Sequence, residues 1–291
     1  MRRRTVNILR RASVTRPHDA VEDLLSKFML VTNLAPAAKA ARRALLPIAL
    51  ALASCASQAQ SPSADPAPSP AYLAAQTRWR SELSAFDAAD RQQWPSEGGV
   101  VFVGSSTIRL WTRLAQDFPQ LPVVINRGFG GSTMADCSFF ARELVLRYKP
   151  RHVLVYAGDN DLAEGRTPIQ ILESFAQFAN TVRAELPQAR ISYISIKPSP
   201  SREKLLPQMR VTNDIVAAYL RRLPNSDYID VFTAMMGADG RPRPELFRGD
   251  QLHLNDEGYR LWRSVIGASL GSPPREEAGG ACCRTSAATK S

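Results

Sequence analysis

The chain runs to 291 residues, 44% hydrophobic and 22% charged, with 21 Pro, 16 Gly and four Cys, which excludes a collagen-like rod, a disulfide scaffold and a wholly disordered chain. Its formal charge of +10 is uneven: residues 1–54 carry ten Lys/Arg against three Asp/Glu, a net of +7, leaving +3 for the rest. That remainder shows no basic stripe interleaved with aromatics, so nucleic acid is not an expected partner.

Near the start, Lys39-Ala-Ala-Arg42-Arg43 precedes the apolar run 44–53, the pattern of a secretory signal and too short to span a bilayer. Leu52-Ala53-Ser54-Cys55 then resembles a bacterial lipobox, whose Cys is acylated and becomes the first residue of the mature protein. Residues 29–54 are expected to be a lipoprotein signal and Cys55 the lipidation site. Because such signals begin within roughly 20–30 residues of the cut, residues 1–28 are expected to be a mis-assigned or disordered extension. Residues 55–70 are rich in Pro and Ser and read as an extended tether. The small residue after Cys55 places the anchor, by resemblance to other lipoproteins, on the outer membrane facing the periplasm. Residues 272–291, with Cys282 and Cys283, read as a disordered tail.

Between these ends, residues 71–271 alternate helical patterns with short β-branched runs. Helices are expected over about 72–92, 107–117, 132–148, 168–186, 202–223 and 256–269, and strands at 100–103, 123–125, 152–156, 191–195 and 228–231. Tyr72, Trp79 and Trp94 are expected to serve packing and the rim, and Cys137 to be a small buried apolar residue. Strands apolar throughout are buried on both faces, so the fold class is α/β: a three-layer α/β/α sandwich around a parallel sheet of about five strands. In such sheets ligands bind beyond the carboxyl ends of the strands.

Four polar clusters occupy those positions. Gly104-Ser105-Ser106-Thr107 opens a helix, where hydroxyls serve equally as caps. Asn126-Arg-Gly128-Phe-Gly130-Gly131-Ser132 lets backbone amides approach a bound group, a phosphate included. Gly158-Asp159-Asn160-Asp161 follows the third strand; with Ala163 at the next ligand position, calcium is not expected. Asp250 lies three residues before His253, a spacing that lets a carboxylate meet Nδ1 and leave Nε2 free as a general base. Lys197-Pro-Ser-Pro-Ser201-Arg202 follows the fourth strand; Arg202 would meet an acidic or sugar substituent or simply open a helix in solvent.

Together, Gly104-Ser-Ser106, Gly131, Gly158-x-Asn160 and Asp250-x-x-His253 resemble the four ordered blocks of the SGNH, or GDSL-type, hydrolase family over about residues 98–266, closest to its branch similar to the platelet-activating-factor acetylhydrolase catalytic subunit. The resemblance implies a flavodoxin-like fold. It implies Ser106 as nucleophile, His253 as general base, Asp250 as its orienting acid, and Ser106, Gly131 and Asn160 as oxyanion donors. Ser105 replaces the family's usual Asp and stands as a second hydroxyl candidate; Thr107 replaces an aliphatic residue. Neither metal nor cofactor is implied.

The expectation is a lipid-anchored serine esterase that cleaves acyl or acetyl esters of small molecules or glycans. No long apolar lid is evident, which favours short acyl chains. One rival is an SGNH-fold module that binds acylated glycan or peptidoglycan without turnover; another is a flavodoxin-like phosphate or nucleotide binder using Gly128–Gly131. Oligomeric state is not legible.

Overall fold

The computed structural model describes residues 68–271. The expectations for residues 1–28, for the signal 29–54, for Cys55 and nearly all of the tether 55–70, and for the tail 272–291 lie outside the described residues.

In chain order the elements are α1 (Pro70–Arg78), α2 (Arg80–Gln92), β1 (Val100–Gly104), α3 (Ser106–Arg109), α4 (Leu114–Asp117), β2 (Val124–Gly128), α5 (Met134–Phe139), α6 (Ala141–Leu144), β3 (His152–Tyr156), α7 (Asp159–Ala163), α8 (Pro168–Glu185), β4 (Arg190–Ile194), α9 (Leu206–Leu220), β5 (Ser226–Ile229), α10 (Val231–Ala234) and α11 (Asp256–Leu270). The five strands form one sheet in the order β2-β1-β3-β4-β5, every pair parallel. Helices cover both faces, giving the α/β/α sandwich that the strand composition implies.

Alternate strand residues feed opposite cores because side chains switch faces at each step. Val101, Val103, Val153 and Val155 join Phe129, Phe140, Phe175 and Phe178 on one side. Val100, Phe102, Leu154 and Tyr156 meet Trp111, Phe118 and Trp262 on the other. Cys137 is a buried free thiol in the first core, and burial, with Asp136 and Asp161 nearby, pushes its pKa well up.

Several expected helices are interrupted. The 72–92 stretch bends at Trp79 (φ −102°), which turns its ring edge-on to Phe129 at 5.0 Å. The 107–117 stretch splits at 110–113, where the indole N–H of Trp111 donates to Asp117 at 2.7 Å. The 132–148 stretch breaks into α5, α6 and a 3-10 turn, with Phe140, Val145 and Tyr148 all buried at the joints. Residues 200–205 form a 3-10 turn rather than the start of α9.

Strand β2 runs through Gly128, three residues beyond the expected end, so Asn126 and Arg127 belong to the sheet. Arg127 donates to the Tyr148 hydroxyl at 2.8 Å and pairs with Asp90 of α2, and Tyr148 donates to Asp90 at 2.5 Å. Asn126 binds the Ile108 carbonyl at 2.8 Å. These polar side chains satisfy each other and the backbone at the sheet edge.

Candidate active site

Strand β1 ends on Gly104 at φ +147°, where a Cβ would lie 1.9 Å from the carbonyl oxygen of Tyr156. Only glycine allows β1 and β3 to approach so closely while the chain swings into α3. The amide of Ser105 donates to that same carbonyl at 3.1 Å, and Ser106 becomes the first helical residue. As the first residue of a helix, its amide has no intrahelical acceptor.

The two serines have opposite surroundings. Ser105 is fully buried and its hydroxyl finds no partner, whereas Ser106 is partly exposed and its Oγ lies 3.1 Å from Nε2 of His253. Nδ1 of His253 lies 2.7 Å from Asp250 Oδ2, while the amides of Leu252 and His253 donate to Oδ1 at 2.9 Å each. These bonds, the His253 amide first, hold the Asp250 carboxyl well below the usual carboxylate range. The turn is closed by Arg248, whose amide donates to the His253 carbonyl at 2.8 Å, and by a bridge between Phe247 and Leu254. Tyr259 of α11 donates to the Thr107 carbonyl at 3.0 Å and ties this end of the molecule to α3.

The glycines after β2 do different jobs. A Cβ on Gly128 would lie 2.2 Å from the amide nitrogen of Arg109, so this residue serves close packing of β2 on α3. Gly130 lies beneath the Arg109 guanidinium, with Nε 2.7 Å from where a Cβ would stand. A Cβ on Gly131, at φ +86°, would meet only the rim of Trp79, at 3.9 Å. The Phe129 amide donates to the Gly104 carbonyl at 2.8 Å, which stitches this loop to the one carrying Ser106.

After β3, Gly158 at φ +117° turns the chain into α7, and Nδ2 of Asn160 donates to the Ser132 carbonyl at 3.0 Å. The flanking acids carry separate structural duties. Asp161 accepts the Met134 amide with both oxygens at 3.0 Å, and burial pushes its carboxyl up to about 7. Asp159 accepts Lys197 Nζ at 3.1 Å and lies 3.2 Å from Arg202 Nη1. Burial alone would raise the Asp159 pKa; Lys197 and Arg202 reverse this and leave it lowered, while burial lowers that of Lys197. Among the described residues no three His, Cys, Asp or Glu side chains stand together as metal ligands.

The structure thus brings Ser106, His253 and Asp250 into one hydrogen-bonded chain, and sets Gly131 in the loop after β2 and Asn160 in the first turn of α7, after β3. Two contacts were not legible in the sequence: the buried Lys197–Asp159 pair and the hydrogen bond from Arg78 to the Gly131 carbonyl. The density of acids around Asn160 was the available signal for the first; nothing local pointed to the second.

The profile of the GDSL-like lipase/acylhydrolase family matches residues 92–261. The chain belongs to that family. It is accordingly an SGNH-type ester hydrolase, and the nucleotide-binding reading of Gly128–Gly131 falls away. No curated protein matches the chain. Among solved structures, this GDSL-like hydrolase is similar in fold to a Streptococcus pneumonia protein described as a platelet activating factor, with 16% identity and a TM-score of 0.59 over 70% of this chain and 100% of that one. A GDSL-like lipase of Bacteroides thetaiotaomicron shares 23% identity at a TM-score of 0.55, over 67% and 96%. A variant of an acetyl-xylooligosaccharide esterase of Geobacillus Stearmophilus shares 16% at 0.50, over 62% and 99%.

Proposed function

We propose that this hydrolase is a serine esterase working through an acyl-enzyme, with Ser106 as nucleophile, His253 as general base and Asp250 as orienting acid. The observation that carries the reading is the 3.1 Å approach of Ser106 Oγ to His253 Nε2, with Nδ1 held 2.7 Å from Asp250. A serine hydroxyl is a weak nucleophile until a neighbouring base takes its proton.

In the first half-reaction Oγ attacks the ester carbonyl as its proton passes to Nε2. The tetrahedral oxyanion is met by the amides of Ser106 and Gly131 and by the carboxamide of Asn160. Collapse expels the alcohol, which takes the proton from Nε2. Water then repeats the sequence on the acyl-enzyme, giving the free acid and restoring Ser106.

The proposed substrates are acyl or acetyl esters of small molecules or glycans, short acyl chains preferred. The acetyl-xylooligosaccharide esterase of similar fold makes acetylated sugars one class to screen beside aryl esters of graded length and lysophospholipid. The proposed setting is the cell envelope, with Cys55 lipidated, residues 55–70 as tether, and the enzyme on the outer membrane facing the periplasm.

A fluorophosphonate probe tests the chemistry. Labelling and p-nitrophenyl acetate turnover are expected in the parent and in Ser105→Ala and lost in Ser106→Ala. An unlabelled parent without turnover would leave a glycan-binding module as the function.

A further inference from the structure

The Asn160 carboxamide is held from two sides. Arg202 Nη2 donates to its Oδ1 at 2.9 Å, and its Nδ2 donates to the Ser132 carbonyl at 3.0 Å. A carboxamide has two N–H donors on one end and an acceptor on the other, and its terminal torsion is close to two-fold. Turned by 180°, Asn160 would present a carbonyl oxygen where the reaction needs a donor, replacing attraction for the oxyanion with repulsion. A guanidinium only donates, so Arg202 accepts one of the two orientations. In that orientation one N–H goes to Ser132 and the second remains for the substrate.

Arg202 is itself built in. Its side chain is 16% exposed, and its guanidinium sits between two groups: Nη1 forms an ion pair with Asp159 Oδ2 at 3.2 Å while Nη2 donates to Asn160. Asp159 is buried and also holds Lys197, itself 2% exposed. The backbone cooperates, because Arg202 departs from helical geometry (φ −118°, ψ 26°) and the Ser201 amide donates to the Gln251 carbonyl at 3.1 Å, inside the turn carrying Asp250 and His253. The same short segment therefore touches the carboxamide and the base-bearing turn.

We propose that Arg202 is a positioning residue, which locks the Asn160 carboxamide with its amide end toward the oxyanion. This rests on Asn160 being an oxyanion donor. The rival role, an anchor for an acidic or sugar substituent, predicts a different kinetic signature.

The test is a double-mutant cycle on p-nitrophenyl acetate. Arg202→Lys keeps a positive charge for Asp159 but cannot bridge carboxylate and carboxamide as the planar fork does. It is expected to lower kcat by about 10–100-fold with KM within about twofold and little change in melting temperature. Asn160→Ala is expected to lower kcat by roughly 10²–10³-fold. Adding Arg202→Lys to Asn160→Ala should then cost less than about twofold, since no carboxamide is left to orient. Should Arg202→Lys melt far below the parent, the cycle is read with Arg202→Met, which keeps an apolar stem of similar length and offers Oδ1 no donor. Parental kcat in the single variant, a change confined to KM, or an undiminished loss in the double variant would overturn the role of Arg202. An unchanged kcat in Asn160→Ala, or activity surviving Ser106→Ala, would instead overturn the functional reading beneath it.

Discussion

Ser105 and Ser106 show what a residue's type leaves open and its surroundings decide. Both hydroxyls sit at a strand-to-helix turn, and the sequence permits either as nucleophile or cap. Backbone direction separates them: the side chain of Ser105 enters the core and that of Ser106 faces His253. The Asp250–His253 spacing was legible because three residues suffice to bring a carboxylate back onto an imidazole. The orientation of Asn160 was not, because its partner lies 42 residues away. His152 makes the same point at the far end of the sheet. It starts β3 with no acid near in sequence, yet its Nε2 lies 2.8 Å from Ser192 Oγ, and burial lowers its pKa to about 3. The unfolded chain takes up a proton as pH falls through about 6.5, while the folded protein resists until about 3, so stability is lost as pH falls across that window. His152→Gln, which can still bind Ser192, is expected to remove about 2 kcal/mol of the loss between pH 7 and 5, read from urea unfolding at both values.

At the scale of elements, strands were easier to read than helices. A buried parallel strand is an uninterrupted apolar run, and five were placed within a few residues; β2 was cut short because Asn126 and Arg127 look like loop residues until Asp90, Tyr148 and Ile108 supply partners. The helices misled because breaks at Trp79, Leu110 and Phe140 follow from tertiary contacts that leave no Pro or Gly in the sequence. The bend at Trp79 matters most to the site. α1 and α2 precede nearly all of the family-matching stretch 92–261, yet Trp79 packs on Phe129, its ring lies 3.9 Å from where a Cβ on Gly131 would stand, and Arg78 reaches the Gly131 carbonyl at 3.5 Å. Trp79→Ala is expected to cost about 3–5 kcal/mol and to lower the melting temperature by roughly 6–20 °C. Leu73→Ala on the exposed face of α1 should stay within about 0.5 kcal/mol. Differential scanning calorimetry of the two variants checks the contrast.

For the molecule as a whole, the charge count separates residues 1–54, with a net of +7, from the nearly balanced remainder at +3. The described helices include none long and apolar enough to cross a membrane; the attachment proposed above is through an acylated Cys55. Several acyl chains, each buried methylene contributing about 0.8 kcal/mol, would make it stable. Cells fed a clickable palmitate should therefore label the parent, and Cys55→Ser should lose both the label and its place in the membrane fraction while keeping esterase activity.

The sheet order carries a consequence for how such an enzyme diversifies. The three proposed donors follow β1, β2 and β3, which are immediate neighbours in the sheet. Their separation is therefore inherited from the fixed pitch of a hydrogen-bonded ladder, about 4.8 Å from rung to rung. A mould ruled by the main chain can keep its dimensions while outlying loops are rewritten, so new substrates can be gained at the periphery without recutting the cradle.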